Sequence, residues 1–494
     1  MFFLKVFFLS FYFVVLGLLA VYGAHRWYLV WLYYKTRNNR PVPKKKFSQL
    51  PFLTIQLPIY NELYVVERLL EAVAGIEYPQ GLFEIQVLDD SVDETAEVAR
   101  KKVDELKARG FDAVYLHRKD RTGFKAGALD VGLRKAKGEF LMIFDADFIP
   151  SHDVARKTIQ YFTDPEIGMV QFRWGHVNRD YSLLTQIQSI FLDGHFVIEH
   201  TARNRGGCFF NFNGTAGVWR KTAIIQSGGW QHDTLTEDLD LSYRAQLAGW
   251  KFVYLPEVTS PAELPVEMNS FKSQQHRWAK GSIQTGLKLL PRIWQCKLPF
   301  PVKLEATFHL TNNLSYILMI IMALLLYPAL LLRLGGGWRR LLIIDLPLFL
   351  MATLSVSSFY VCSQKEIYKK WFSRIRYLPL VTSVGIGLSV NNAKAVLEAL
   401  FGYSTPFQRT PKFGVINNVD SWSNKKYRAV KNFSMFFELF LAIYFTFLIG
   451  FVFVNRIYFL IPFLLMFQVG FFYVFFLSAF QKPGVPKEAV TSCG

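Results

Sequence analysis

The apolar positions of this chain gather at its two ends and leave a mixed, charged stretch between about 51 and 301. Residues 2–31 form a nearly unbroken apolar run, longer than the ~20 residues needed to cross a hydrocarbon core. A secretory leader would be shorter and would end in an A-x-A-type cleavage site, so a retained anchor is expected. Further on, 314–332 and 341–362 read as an apolar hairpin around loop 333–340, and 433–454 with 457–480 as a second hairpin turning at Asn455 and Arg456. The run 378–401 starts apolar but carries Asn391, Asn392, Lys394 and Glu398. These are costly in lipid, so an amphipathic interface helix with its polar side toward the cytosol is expected. The count is five spans, N-terminus outside and C-terminal tail inside.

The middle stretch has a different rhythm. FLTIQLP, FEIQVLD, DAVYLH and EFLMIFD read as strands, and 62–75, 93–109 and 125–137 as the helices between them. Alternating strands and helices imply a mostly parallel α/β sheet covered on both faces. Ligands bind such sheets outside the carboxyl ends of the strands.

Composition and charge sharpen this outline. The 494 residues are 51% hydrophobic and 16% aromatic, and 56 basic against 38 acidic residues give a net charge of +18. Much of the basic surplus borders apolar spans: Lys35, Arg37, Arg40, Lys44, Lys45 and Lys46 follow the first. Membrane orientation therefore explains it better than nucleic acid, and it places the middle domain in the cytoplasm. That membrane would be a plasma or inner membrane, or a Golgi membrane in a eukaryote. The four cysteines, Cys208, Cys296, Cys362 and Cys493, are too widely spaced for a metal motif and suit a reducing compartment.

Acidic groups recur at the strand ends. PIYNE puts Tyr60 and Glu62 after the first strand, DDS puts Asp89 and Asp90 after the second, and DAD puts Asp145 and Asp147 after the fourth. Carboxylates that close repel one another unless a cation or hydrogen-bond donors intervene. Two of them one residue apart beside a diphosphate suit a hard cation, Mg²⁺ or Mn²⁺. A lone D-x-D also arises as a helix cap. The weight comes from the series: DDS, Lys125 in FKAGALD, DAD, then TED at Thr236, Glu237 and Asp238. Lys125 sits by Gly123 and Gly127 at a helix start, a place to meet phosphate. Asp238 is the candidate general base for sugar transfer with inversion, and Thr236 is placed to cap its helix. In QQHRW, Arg277 can clamp a pyrophosphate bidentately, Trp278 can stack on a sugar ring, and Gln274 can orient a hydroxyl.

In this order, PIYNE, DDS, KAG, DAD, TED and Q-x-x-R-W resemble the processive family 2 glycosyltransferases: cellulose synthases, hyaluronan synthases and plant cellulose synthase-like proteins. FNFNGTAGVWR at 210–220 and NNAKAVLEALFG at 391–402 look most like the cellulose synthase-like branch that makes mannan or xyloglucan backbones. The resemblance implies a GT-A (Rossmann-like) catalytic domain and an inverting, metal-dependent single displacement. Tyr60, Glu62, Asp89, Asp90, Lys125, Asp145, Gln274 and Arg277 would then bind the sugar nucleotide, Asp145 and Asp147 the metal, and Thr236, Glu237 and Asp238 would form the catalytic group. Trp278, Asn213, Gly214 and Thr215 would meet the acceptor, with Asn213 where cellulose synthases carry a Cys. Phe407, Thr410 and Lys412 keep the spacing of the cellulose synthase gating loop F-x-V-T-x-K, with Arg409 replacing the Val.

The expected organisation is an N-terminal anchor (1–35), a catalytic domain (48–300, with interface helices near 181–200 and 267–290) and a membrane hairpin (305–363). An interface helix with the gating-like loop (376–432), a second hairpin (433–480) and a cytosolic tail (481–494) follow. The expected activity is polymerisation of a β-linked glucan or mannan from UDP-glucose or GDP-mannose, threaded through the membrane helices. Trp294, Tyr316, Phe359 and Phe433 are candidate lumen residues. Its partners would be the sugar nucleotide, the nascent polysaccharide and the bilayer; any export or regulatory partner would be a separate protein. The competing reading is a lipid glycosyltransferase adding one sugar to ceramide, diacylglycerol or polyprenyl phosphate. A non-enzymatic membrane scaffold fits less well, because every expected acidic position is filled.

Overall fold

The computed structural model describes residues 2–334, 338–403, 409–416, 420–422, 425–428 and 433–481. Phe407, at the start of the gating-like motif, and the tail beyond 481 lie outside the described residues.

The middle stretch folds as one seven-stranded sheet in the order β3-β2-β1-β4-β6-β5-β7. Its strands are β1 (Leu53–Ile59), β2 (Phe83–Asp89), β3 (Ala113–His117), β4 (Phe140–Ile143), β5 (Ile167–His176), β6 (Gly217–Arg220) and β7 (Lys251–Ala262). The first four are those expected from the sequence, and they pair in parallel. β6 alone runs against both its neighbours, pairing Ile143 with Gly217 and Gln171 with Gly217. All seven residues of β2 and all four of β4 are buried, as strands covered on both faces require. The helices Val66–Ala74 and Thr95–Ala108 cover one face. They bury Leu69, Leu70, Val73, Ala99, Val103 and Leu106 in the sheet's core.

Among the described residues, six helical segments are long and apolar enough to cross a membrane. Five correspond to the expected spans: Lys5–Thr36, Leu314–Arg333, Asp345–Ile367, Ser434–Val454 and Tyr458–Phe480. The sixth, Phe372–Leu400, contains the run assigned to the interface. It is 72% buried, against 28–33% for the others. It breaks at Leu388 into Leu378–Gly387 and Ser389–Leu400, each shorter than the ~20 residues of a span. The first piece packs backbone to backbone on the last helix: a Cβ on Gly387 would stand 2.3 Å from the Gly470 carbonyl oxygen.

The second piece corrects the orientation expected from sequence. Its polar side faces protein rather than cytosol. Asn391 and Asn392 are buried, and the Asn391 amide donates to the Lys272 carbonyl at 2.9 Å. Glu398 pairs with His276 and Lys280, both at 3.1 Å, on the helix Met268–Gln295. Asn391 and Glu398 are thus satisfied by the helix that carries QQHRW rather than by solvent, while Lys394 stays exposed.

Candidate active site

The ligand edge of the sheet opens on a cleft with about 1310 Å³ of empty space. Of the residues singled out in the sequence, Tyr60, Glu62, Asp90, Lys125, Asp145, Asp147, Asn213, Gly214, Thr236, Glu237, Asp238, Gln274, Arg277, Trp278, Thr410 and Lys412 all line it. Parallel strands deliver their ends to one edge, which brings Tyr60, Asp90 and Asp145 together. β6 runs the other way, so its beginning reaches that edge and carries Asn213 and Gly214 with it.

Two expected members stand behind the wall. Asp89 is fully buried; it accepts a hydrogen bond from the Tyr115 hydroxyl at 2.6 Å and from the Ser91 N–H at 2.9 Å. It therefore shapes the strand end, while Asp90 faces the cleft and is gripped by Arg118 (Nε to Oδ1, 2.7 Å). Thr215 is also fully buried; its hydroxyl accepts the Asp145 N–H at 2.8 Å, tying the loop before β6 to the D-x-D.

The D-x-D carboxylates each meet a lysine. Asp145 pairs with Lys125, which also donates to the Gly214 carbonyl at 3.0 Å. Asp147 pairs with Lys412 at 2.7 Å and accepts the Glu263 N–H at 3.2 Å. Among the described residues no group of three or more His, Cys, Asp or Glu is arranged to hold a metal ion. The pair Asp145 and Asp147 offers hard oxygen donors into an open cleft, which fits a divalent cation whose remaining ligands come from a diphosphate and water.

Helix Glu237–Leu247 begins in the cleft. Burial and the neighbouring Glu237 push the Asp238 carboxyl up to about 7, against the pull of Lys125. Glu237 is raised as well, chiefly by burial. The Thr236 side chain does not cap this helix, contrary to the sequence expectation. It is packed against Gly281 of the QQHRW helix, where a Cβ would stand 2.5 Å from the Thr236 hydroxyl oxygen. Gly214, at φ +79°, allows a close approach on the other side: a Cβ there would stand 3.0 Å from Asp238 Oδ2.

The segment from Arg409 to Gly414 folds over the rim. Arg409 donates to the Tyr60 carbonyl at 2.6 Å and to the Asn61 carbonyl, and sits 3.4 Å from Glu62. Burial, with Asp147 and Asp145 nearby, pushes the Glu62 carboxyl up to about 8 even with Arg409 opposing. Glu263 anchors the segment by accepting the N–H groups of Phe413 (2.9 Å) and Gly414 (2.7 Å). Sequence reasoning missed Glu263, because its partners lie about 150 residues away. It also missed Arg121, stacked 3.3 Å above the Tyr60 ring and lining the cleft. Trp174 was missed too, with its ring centroid 6.3 Å from that of Trp278.

A second cavity with about 2470 Å³ of empty space continues from the first, between the apolar helices. The two share Trp174, Leu192, Asn213, Thr236, Asp238, Gln274 and Trp278. Tyr316 and Phe359 line it as expected. Trp294 and Phe433 do not; they are 45% and 83% exposed.

Residues 51–281 match the family model described as Glycosyltransferase like family 2. Among curated proteins it is similar to glucomannan 4-beta-mannosyltransferases. It is 41% identical to enzyme 1 of Oryza sativa subsp. japonica over 51% of this chain and 49% of that one. It is 40% identical to enzyme 2 of Arabidopsis thaliana over 50% of this chain and 47% of that one. The chain thus spans about half the length of the curated relatives it matches. A solved mannosyltransferase from Pyrobaculum calidifontis, in complex with GDP-Man and Mn2+, shares the fold. It aligns at TM-score 0.53 and 19% identity over 79% of this chain and all of that one.

Proposed function

We propose that this protein is an inverting glycosyltransferase that polymerises a β-linked, mannan-type polysaccharide from GDP-mannose and passes it into the cavity between its membrane helices. The observation that carries this reading is the position of Asp238, whose carboxylate borders both the charged cleft and the second cavity. A donor sugar in the first and an acceptor chain in the second would meet at that carboxylate. The sheet domain would face the cytoplasm, where sugar nucleotides are found and where the basic residues after the first span direct it. The mannosyl donor is favoured over UDP-glucose by the likeness to the glucomannan 4-beta-mannosyltransferases and by the GDP-Man bound to the Pyrobaculum neighbour.

Asp145 and Asp147 would hold Mg²⁺ or Mn²⁺, which when bound neutralises charge on the diphosphate leaving group. Lys125, Arg277, Arg409 and Lys412 surround the same cleft and supply further positive charge to that group. Asp238 takes the proton of the acceptor hydroxyl as its oxygen bonds to the anomeric carbon and the bond to the diphosphate breaks. Trp278 and Trp174 offer apolar faces to the sugars at the junction.

Membranes containing the protein, supplied with radiolabelled GDP-mannose and, separately, UDP-glucose, test the proposal. An insoluble product made from GDP-mannose and degraded by endo-β-1,4-mannanase is expected. A single labelled glycolipid, or polymer from UDP-glucose alone, would overturn it.

A further inference from the structure

Outside the motifs, one group of polar residues stands at the mouth of the second cavity. The helix Leu183–Asp193 does not end there but changes winding into a π-helical stretch, Gly194–His200. Such stretches are rare and gather at functional sites. Gly194 lies against the membrane helix Trp338–Ile367: a Cβ on it would stand 2.6 Å from Phe359 Cε1 and 2.9 Å from Tyr360 Cε1.

The wider winding has a local consequence. In a regular α-helix, residues five apart point about 140° away from each other, at ~100° per residue. Here His195 and His200 both reach Asn213. His200 Nε2 lies 2.6 Å from the Asn213 amide oxygen, and the Asn213 amide nitrogen lies 3.0 Å from His195 Nε2. The other ring nitrogen of His195, Nδ1, is 2.9 Å from Glu199. Glu199 is held in turn by Arg203 (3.3 Å), which also pairs with Glu305 at 2.9 Å.

Hydrogen-bond sense follows from the acceptor-only end of this chain. In a neutral His195 whose Nδ1–H donates to the Glu199 carboxylate, Nε2 is an acceptor and receives an Asn213 amide N–H. The Asn213 oxygen then receives the Nε2 proton of His200. The carboxamide is fixed in one orientation, with one N–H committed to His195. The second N–H belongs to a residue that lines both cavities, one position before the glycine pressed against Asp238.

We propose that His195 is a positioning residue for the acceptor: with His200 it locks the Asn213 carboxamide so that its remaining N–H meets a hydroxyl of the chain's terminal sugar beside Asp238. This rests on the reading of Asp238 as the base at the donor–acceptor junction. Losing the lock lets the carboxamide turn and present its oxygen instead, so the acceptor hydroxyl is held less well and water competes as nucleophile. Water attack releases free sugar and nucleoside diphosphate from the same donor.

The decisive readout is sugar incorporated into polymer per nucleoside diphosphate released, measured with the KM for GDP-mannose on the full-length protein. His195→Phe keeps the ring but cannot accept the Asn213 proton. The ratio is expected to fall about tenfold, the worth of one positioned hydrogen bond, with donor KM unchanged. His195→Gln, whose amide oxygen can accept in place of Nε2, should recover most of the ratio. Asn213→Asp, which replaces the donor by an acceptor of the same shape, should reproduce the defect and decides the matter if His195→Phe misfolds. Proportional loss of incorporation and release in both variants, or an unchanged ratio in both, would overturn the proposal. Failure of the parent reading looks different: Asp238→Asn would then retain transfer, whatever the His195 variants do.

Discussion

The two cavities that meet at Asp238 are built from opposite materials. The donor cleft is crowded with charge: Lys125, Asp145, Asp147, Arg277, Arg409 and Lys412 stand within one opening. The larger cavity is walled mainly by aliphatic and aromatic side chains of the membrane helices, among them Phe349, Phe359, Tyr316 and Phe467. Charges hold a diphosphate tightly through directional, charge-assisted bonds, and a polymerising site would have to release that group after every transfer. On the proposed function a growing chain would instead slide, which favours broad contacts with flat rings. On the proposed function, donor binding and acceptor travel would be separable, coupled through the residues shared by both cavities.

The largest expected effect lies at the shared boundary. Asp238→Asn should lower transfer by ~10²–10⁴-fold, the usual worth of a general base, while sugar-nucleotide affinity measured by titration calorimetry stays near wild type. The same carboxyl gives a pH signature. It acts as a base only when ionised, and its pKa is raised to about 7. The rate should therefore fall about tenfold per pH unit below that value and level off above it. A pH–rate profile flat down to pH 5 would remove Asp238 from the role.

Asp147→Ala should break the charged side alone. Nucleotide binding in the presence of Mn²⁺ is expected to weaken by ~10–100-fold, and adding a chelator should then change it little. Binding equal to wild type in that experiment would contradict the metal assignment. Trp278→Ala should break the sliding side. Loss of a stacking face worth ~0.5–1.5 kcal/mol predicts shorter polymer and up to about tenfold less incorporation, with donor KM held. A smaller effect is expected from Arg409→Ala, which removes the tie to Tyr60 and Asn61. Donor KM should rise severalfold while polymer length is unchanged; a change in length instead would merge the two halves of the comparison.

Much of the donor side was legible in the sequence because it is built from local patterns. A strand ending in DDS or DAD states both its element and its edge, and parallel pairing collects those edges without further information. The rest depended on long-range partners. Glu263 reads as an ordinary strand-end acid until Phe413 and Gly414 are folded onto it. His195 and His200 look like isolated helical histidines until the change of winding turns both toward Asn213. Asn391 and Asn392 suggested a wetted helix face, since nothing in their own segment reveals that the helix Met268–Gln295 covers them. Thr236 matched a capping pattern, but contact with Gly281 took its side chain elsewhere.

The single reversed strand has a consequence of its own. Because β6 enters the sheet at the edge where its neighbours leave, the loop before it is carried into the cleft and fastened there, by the Thr215 hydroxyl to the Asp145 N–H and by the Gly214 carbonyl to Lys125. Its sequence therefore cannot drift independently of the D-x-D and Lys125, and Phe210 and Phe212 bind it further to the buried core. An exchange of residues 208–216 with a relative would therefore move a part that is bolted to the rest of the machine, and donor KM should shift along with any change at the second cavity.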